Sequence, residues 1–123
     1  MENKQKIKLS AIAHGRSGDK GNHANIGIIA YTPVGYSWIR ENLTAAVVEK
    51  YFAPLKPSRA VRFEAPNLLA VNFLLLDVLA GGASQSLRID TQGKTYASAL
   101  LQMEIPCPAD FSKMVRSSPR TSA

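Results

Sequence analysis

Apolar and polar residues alternate from Ile7 to Ala13, with Ile7, Leu9 and Ala11 on one side, and this period predicts a strand over 6–13. The pattern breaks over 14–22, where Gly15, Gly18 and Gly21 are interspersed with Arg16, Ser17, Asp19 and Lys20, a loop composition. A β-branched run from Asn25 to Tyr31 predicts a second strand. Thr32-Pro33 then opens a helix over 34–43 that gathers Trp38, Ile39 and Leu43 on one side. Thr44 caps a second helix over 45–52, which Pro54 and Pro57 end, and Arg59 to Glu64 alternates as a strand. Pro66 opens a helix over 67–79 that is apolar nearly all round, so it is either buried between layers or partly covered by another protein. Gly81-Gly82 stops it, Ser84 to Asp90 reads as a strand, and Thr91 to Lys94 as a turn. Thr95 to Ile105 fits either a helix packed on Tyr96, Ala99, Leu100 and Met103 or a long strand ending at Pro106, the helix with a short strand after it being preferred.

Strands and helices follow one another without regular βαβ alternation, which predicts a single α+β sandwich: a mixed or antiparallel sheet with helices packed on one face. A chain of 123 residues has room for one core, and 46% hydrophobic with 20% charged residues excludes disorder and a coiled coil. The expected organisation is a flexible N-terminus over 1–6, a domain over 7–108 and a mobile tail over 109–123.

The net charge of +6 invites a nucleic-acid reading, but most of the excess lies at the ends. Residues 1–8 hold three Lys and one Glu, and 109–123 hold Lys113, Arg116 and Arg120 against Asp110, which leaves only +2 for the body. A mixed-sign body disfavours nucleic acid. One cysteine, Cys107, permits no intramolecular disulfide and no cysteine cluster for zinc, and between two prolines with no base in view it reads as inert. A reducing cytoplasm is the simplest compartment. No membrane segment is expected, because Leu68 to Leu79 is short and broken by Asn72 and Asp77.

Candidate chemistry concentrates in 14–27. Three glycines at a spacing of three can expose backbone N–H groups, and Arg16 and Lys20 add positive charge, so the segment could hold a phosphate or carboxylate. The bland alternative is a polar connection in which Asp19 and Asn22 make turn hydrogen bonds. It is no Walker A loop, since Gly21 follows Lys20 and a strand follows the glycines. Ser17, His14 and Asp19 suggest a triad only by sequence proximity, and His14 and His23 match no metal site, so no metal and no cofactor are expected. Asn72 lies in the most apolar stretch and must be either a buried structural hydrogen bond or a ligand contact, while Asn67 reads as a cap or first-turn residue. Gly81 to Ser86 is a small-residue loop that could approach a ligand, though helix termination accounts for its glycines.

Taken together, Arg16-Ser17-Gly18-Asp19-Lys20-Gly21-Asn22, Ala24-Asn25-Ile26-Gly27, Pro66-Asn67-Leu68, Asn72-Phe73, Gly81-Gly82 and Ser84 to Asp90 with Gly93-Lys94 resemble the C-terminal domain of the acyclic-terpene-utilisation (AtuA) family over about residues 7–106. The resemblance implies a ferredoxin-like fold, here as a free-standing version of a domain that normally follows a much larger one. It also implies a link with catabolism of branched or terpene-derived acyl-CoA compounds. It places Arg16, Ser17, Gly18, Asp19, Lys20, Gly21, Asn22, Asn25, Asn67 and Asn72 on a ligand-binding surface, whereas His23 departs from the family pattern, which more often has Asp there. Three functions follow as expectations. The chain is a small subunit or accessory domain that gives its Gly-rich basic loop to a site shared with a separately encoded large AtuA-like subunit. Alternatively it is a stand-alone ligand-binding module that self-associates into a homo-oligomer through the apolar helix. Ranked last is an autonomous hydrolase or lyase using Asp19, Lys20 or a histidine. The ligand in view is an acyl-CoA or another anionic small molecule.

Overall fold

A computed structural model describes residues 5–20, 23–77 and 94–116. Its main feature is a four-stranded antiparallel sheet in the order β2-β3-β5-β4, where β2 is Ala13–Lys20, β3 is His23–Ala30, β4 is Arg59–Ala65 and β5 is Ala70–Leu76. Burial alternates along β3, with Ala24, Ile26, Ile28 and Ala30 buried and their neighbours half-buried, so one face of the sheet carries the core. Val71, Phe73 and Leu75 of β5 and Ala60 of β4 complete that face.

Three helices cover it: α1 (Pro33–Asn42), α2 (Ala45–Tyr51) and α3 (Lys94–Leu101). Thr32 and Thr44 cap the first two, accepting hydrogen bonds from Gly35 N at 3.0 Å and Val47 N at 3.2 Å, as their positions before each helix predict. Ile39, Val48, Phe52, Tyr96 and Leu100 point inward from this layer. The Tyr51 hydroxyl donates to Ala99 O at 2.7 Å, tying α2 to α3, and burial pushes its ionisation above the ordinary phenol range, so it stays a donor at neutral pH. Arg62 leaves β4 on the same side and donates to Arg40 O and Leu43 O, a cation placed on the open carbonyls at the end of α1.

Strands β3 and β4 run parallel on either side of β5 and are joined by the α1–α2 crossover, a split β-α-β unit. The ferredoxin-like order is completed on the other side of β3 by β2, which precedes the unit in the chain instead of following the last helix. A small second sheet pairs β1 (Lys6–Lys8) with β6 (Glu104–Pro106).

The α+β class, the helices on one face and the preferred helix-then-strand reading of 95–105 agree with the structure. Four expectations do not. The predicted strand 6–13 is β1 followed by a 3-10 turn, Leu9–Ala11, and β2 begins only at Ala13. The predicted loop 14–22 is strand through Lys20, and Gly21 and Asn22 lie outside the described residues. The predicted helix 67–79 is a 3-10 turn, Pro66–Leu68, followed by the inner strand β5. A strand with partners on both edges and a packed face needs no polar stripe, and a short apolar run does not distinguish it from a buried helix. Finally, the expected tail is anchored in its first half: Met114 is 4% exposed, and Thr32 Oγ1 donates to Lys113 O at 2.8 Å. At the other end Lys6 pairs with Pro106. The expectations for Gly81-Gly82, the strand 84–90 and the turn 91–94 lie outside the described residues up to Lys94, the first residue of α3. No helix among the described residues is long and apolar enough to cross a membrane.

Candidate functional site

The face of the sheet opposite the helices has no layer over it among the described residues, and the register fixes what it presents. Arg16, Gly27, Asn72 and Phe63 form one row across all four strands. Gly18, Asn25, Leu74 and Val61 form the next, and His14, Ile29, Ala70 and Ala65 the one on the other side. Because side chains alternate along a strand, these rows all project away from the core.

Small residues make this face concave. Gly27 sits in the middle, and a Cβ added there would lie 3.5 Å from Asn72 Oδ1 and 4.0 Å from Arg16 Cγ, so these two side chains flank a depression with no side chain of its own. With Gly18, Ala65 and Ala70 as further floor, a groove of about 640 Å³ results, bordered by Arg16, Asn25, Asn72, Ile29 and Leu68. One guanidinium and two carboxamides supply donors for an oxyanion or carbonyl, and Ile29 and Leu68 supply an apolar wall. Leu68 is 69% exposed and Phe63, on the same face, 53%. Leu68 is held there by the turn between β4 and β5, closed by Leu69 in the left-handed region at φ 56°.

Of the residues expected from sequence, Arg16, Gly18, Asn25 and Asn72 thus converge on one groove. The alternative of a buried structural hydrogen bond for Asn72 gives way to a half-buried amide on the groove wall. Ser17 borders the groove, but its Oγ accepts from Ala97 N at 3.2 Å on the helix side, which commits it to holding β2 against α3. Asn67 is exposed in the 3-10 turn beside Leu68 and does not line the groove. Asp19 and Lys20 continue β2 opposite Ala24 and His23.

The paper triad is excluded by geometry, since Ser17 and His14 are three apart on a strand and face opposite sides. His23 lies at the far end of β3 from Ile29, the partner of His14, and its Nδ1 accepts from Asp77 N at 3.0 Å. The described residues contain no cluster of three or more His, Cys, Asp or Glu that could hold a metal. Missed from sequence were Ile29, Ala65, Leu68 and Ala70; strand register brings Ile29, Ala65 and Ala70 to the groove with no local motif to mark them, and Leu68 reaches it from the 3-10 turn.

A family model described as the AtuA ferredoxin-like domain matches residues 7–106. The chain belongs to the AtuA ferredoxin-like domain family. No curated protein and no solved structure matches the chain. Membership agrees with the split β-α-β topology, and the AtuA-like motif 16–27 contributes residues 16–20 of β2 and 23–27 of β3, which carry Arg16, Gly18, Asn25 and Gly27.

Proposed function

We propose that this AtuA-type domain is the small subunit or accessory domain of an AtuA-like enzyme system, and that its open sheet face is one wall of the substrate site. The ligand class is an anionic branched acyl compound, free or as its CoA thioester, in the catabolism that the family resemblance implies. What carries the reading is the groove over Gly27, with Arg16, Asn25 and Asn72 around a floor of small residues and an apolar border. A guanidinium with two amides binds a carboxylate or thioester oxygen, and the apolar border covers the hydrocarbon next to it. The basic element offered to the shared site is therefore a strand face, not a loop. Exposed Phe63 and Leu68 beside the groove fit a site completed by a second protein. Self-association through an apolar helix loses its motive, because residues 70–76 are the inner strand.

The test is affinity purification of the tagged chain from its native host, in wild-type form and with Phe63→Asp and Leu68→Asp combined. A large AtuA-type protein is expected at comparable amount with the wild type and absent with the variant. Recovery of the wild type only as a monomer or self-oligomer would contradict the subunit reading.

A further inference from the structure

The same sheet face has a second concave surface of about 430 Å³, lined by His14, Tyr31 and Arg116. It adjoins the groove, since Ile29, the cross-strand partner of His14, forms part of the groove wall. The His14 and Tyr31 rings are stacked, with centroids 5.3 Å apart and planes at 24°, and the Arg116 guanidinium lies over the Tyr31 ring at 5.8 Å from its centroid. Arg116 is kept within reach because Met114, two residues earlier, is buried against the start of α1.

This arrangement orders three polar side chains without using their hydrogen-bonding groups. The N–H donors of a guanidinium project from its edge, so a contact with a ring leaves them free to bind an anion. Stacked imidazole likewise keeps both nitrogens at its rim. Neither Arg116 nor His14 makes a side-chain hydrogen bond or ion pair with another described residue. Among the described residues, no acidic side chain lines this surface or the neighbouring groove. The contacts that restrain these side chains also reduce the rotamer entropy that a ligand would otherwise have to remove on binding.

We propose that His14, Tyr31 and Arg116 form a phosphate subsite. The Arg116 fork addresses two phosphate oxygens, and the Tyr31 hydroxyl and a His14 N–H provide further donors around the same anion. A phosphate here lies one row of the sheet from Arg16, so a ligand holding an acyl group in the groove and a phosphate in this subsite would span both. The subsite stands on its own residues and does not rest on the groove being the acyl site.

The test is a titration of the full chain with inorganic phosphate, followed by amide and imidazole NMR shifts, with acetate as the competing oxyanion. Saturable shifts centred on His14, Tyr31 and Arg116 are expected, with acetate at least about tenfold weaker and Arg116→Gln weakening phosphate by about tenfold or more. Shifts scattered over surface lysines without saturation, equal binding of acetate, or unchanged affinity in Arg116→Gln would each overturn the subsite. Phosphate carries no acyl chain, so its failure to bind leaves the groove reading intact. A branched carboxylate that fails in the groove likewise leaves this result standing.

Discussion

Replacing Phe73 with alanine is expected to lower the unfolding free energy by about 3–5 kcal/mol, the cost of emptying a fully buried aromatic position. Phe73 is 0% exposed in the inner strand of the sheet, opposite Ile26 on one side and Arg62 on the other. The matched control is Phe63→Ala on the opposite face, 53% exposed, which is expected to cost no more than about 1 kcal/mol. Urea denaturation measures both, with an unchanged slope showing that the unfolded state is comparable. A contrast of this size follows from strand geometry, in which Phe63 and Phe73 belong to opposite sides of neighbouring strands. Equal losses at the two positions would contradict the register.

Gly27→Val is expected to weaken ligand binding strongly while leaving the fold nearly as stable as before. The first added carbon meets Asn72 Oδ1 and Arg16 Cγ at ordinary contact distances, and a β-branched residue suits a strand, so the change in stability should stay within about 1 kcal/mol. The valine methyl groups, however, occupy the floor of the groove. Binding of a methyl-branched medium-chain carboxylate should fall by more than about tenfold, read by isothermal titration calorimetry. Gly15→Ala, in contrast, is expected to destabilise, because its Cβ projects to the core side and would come within 2.8 Å of Gly27 O. The pair therefore separates a glycine needed for packing from one needed for space. Loss of stability in Gly27→Val as large as in Gly15→Ala would contradict this division.

How much of this was legible in the sequence depends on the kind of signal each element carries. Capped amphipathic helices such as 33–42 and 45–51 announce themselves through Thr32, Pro33 and Thr44, and the structure bears them out to within a residue or two. β5 reads as a helix in the sequence because its open-face positions Leu74 and Leu76 are as apolar as its core positions Phe73 and Leu75, which erases the two-residue period. β2 reads as a loop for the opposite reason. It is an edge strand whose open face carries His14 and Arg16 and whose core face begins with Ala13, Gly15 and Ser17, so almost no large apolar residue marks it. Gly15 reads as a loop residue by composition, but it is there to let β2 lie close to β3 and Ile28.

The candidate site was half legible for the same reason. Arg16, Asn25 and Asn72 stand out as polar residues in an unusual motif or an apolar run, and three strands bring them together. Ile29, Ala65 and Ala70 look like ordinary strand residues, and their role depends on pairings between segments tens of residues apart. Ser17 illustrates the converse, a residue inside the motif whose side chain turns to the core-facing side because of its parity in the strand.

A backbone amide NMR titration of the full chain with a methyl-branched medium-chain carboxylate decides whether the groove over Gly27 is where this domain meets its ligand. Saturable shifts confined to Arg16, Gly18, Asn25, Gly27 and Asn72 and their neighbours, and strongly weakened in Gly27→Val, are the predicted result. Shifts centred on the helical face, or no shift at carboxylate concentrations that saturate ordinary weak sites, would contradict it.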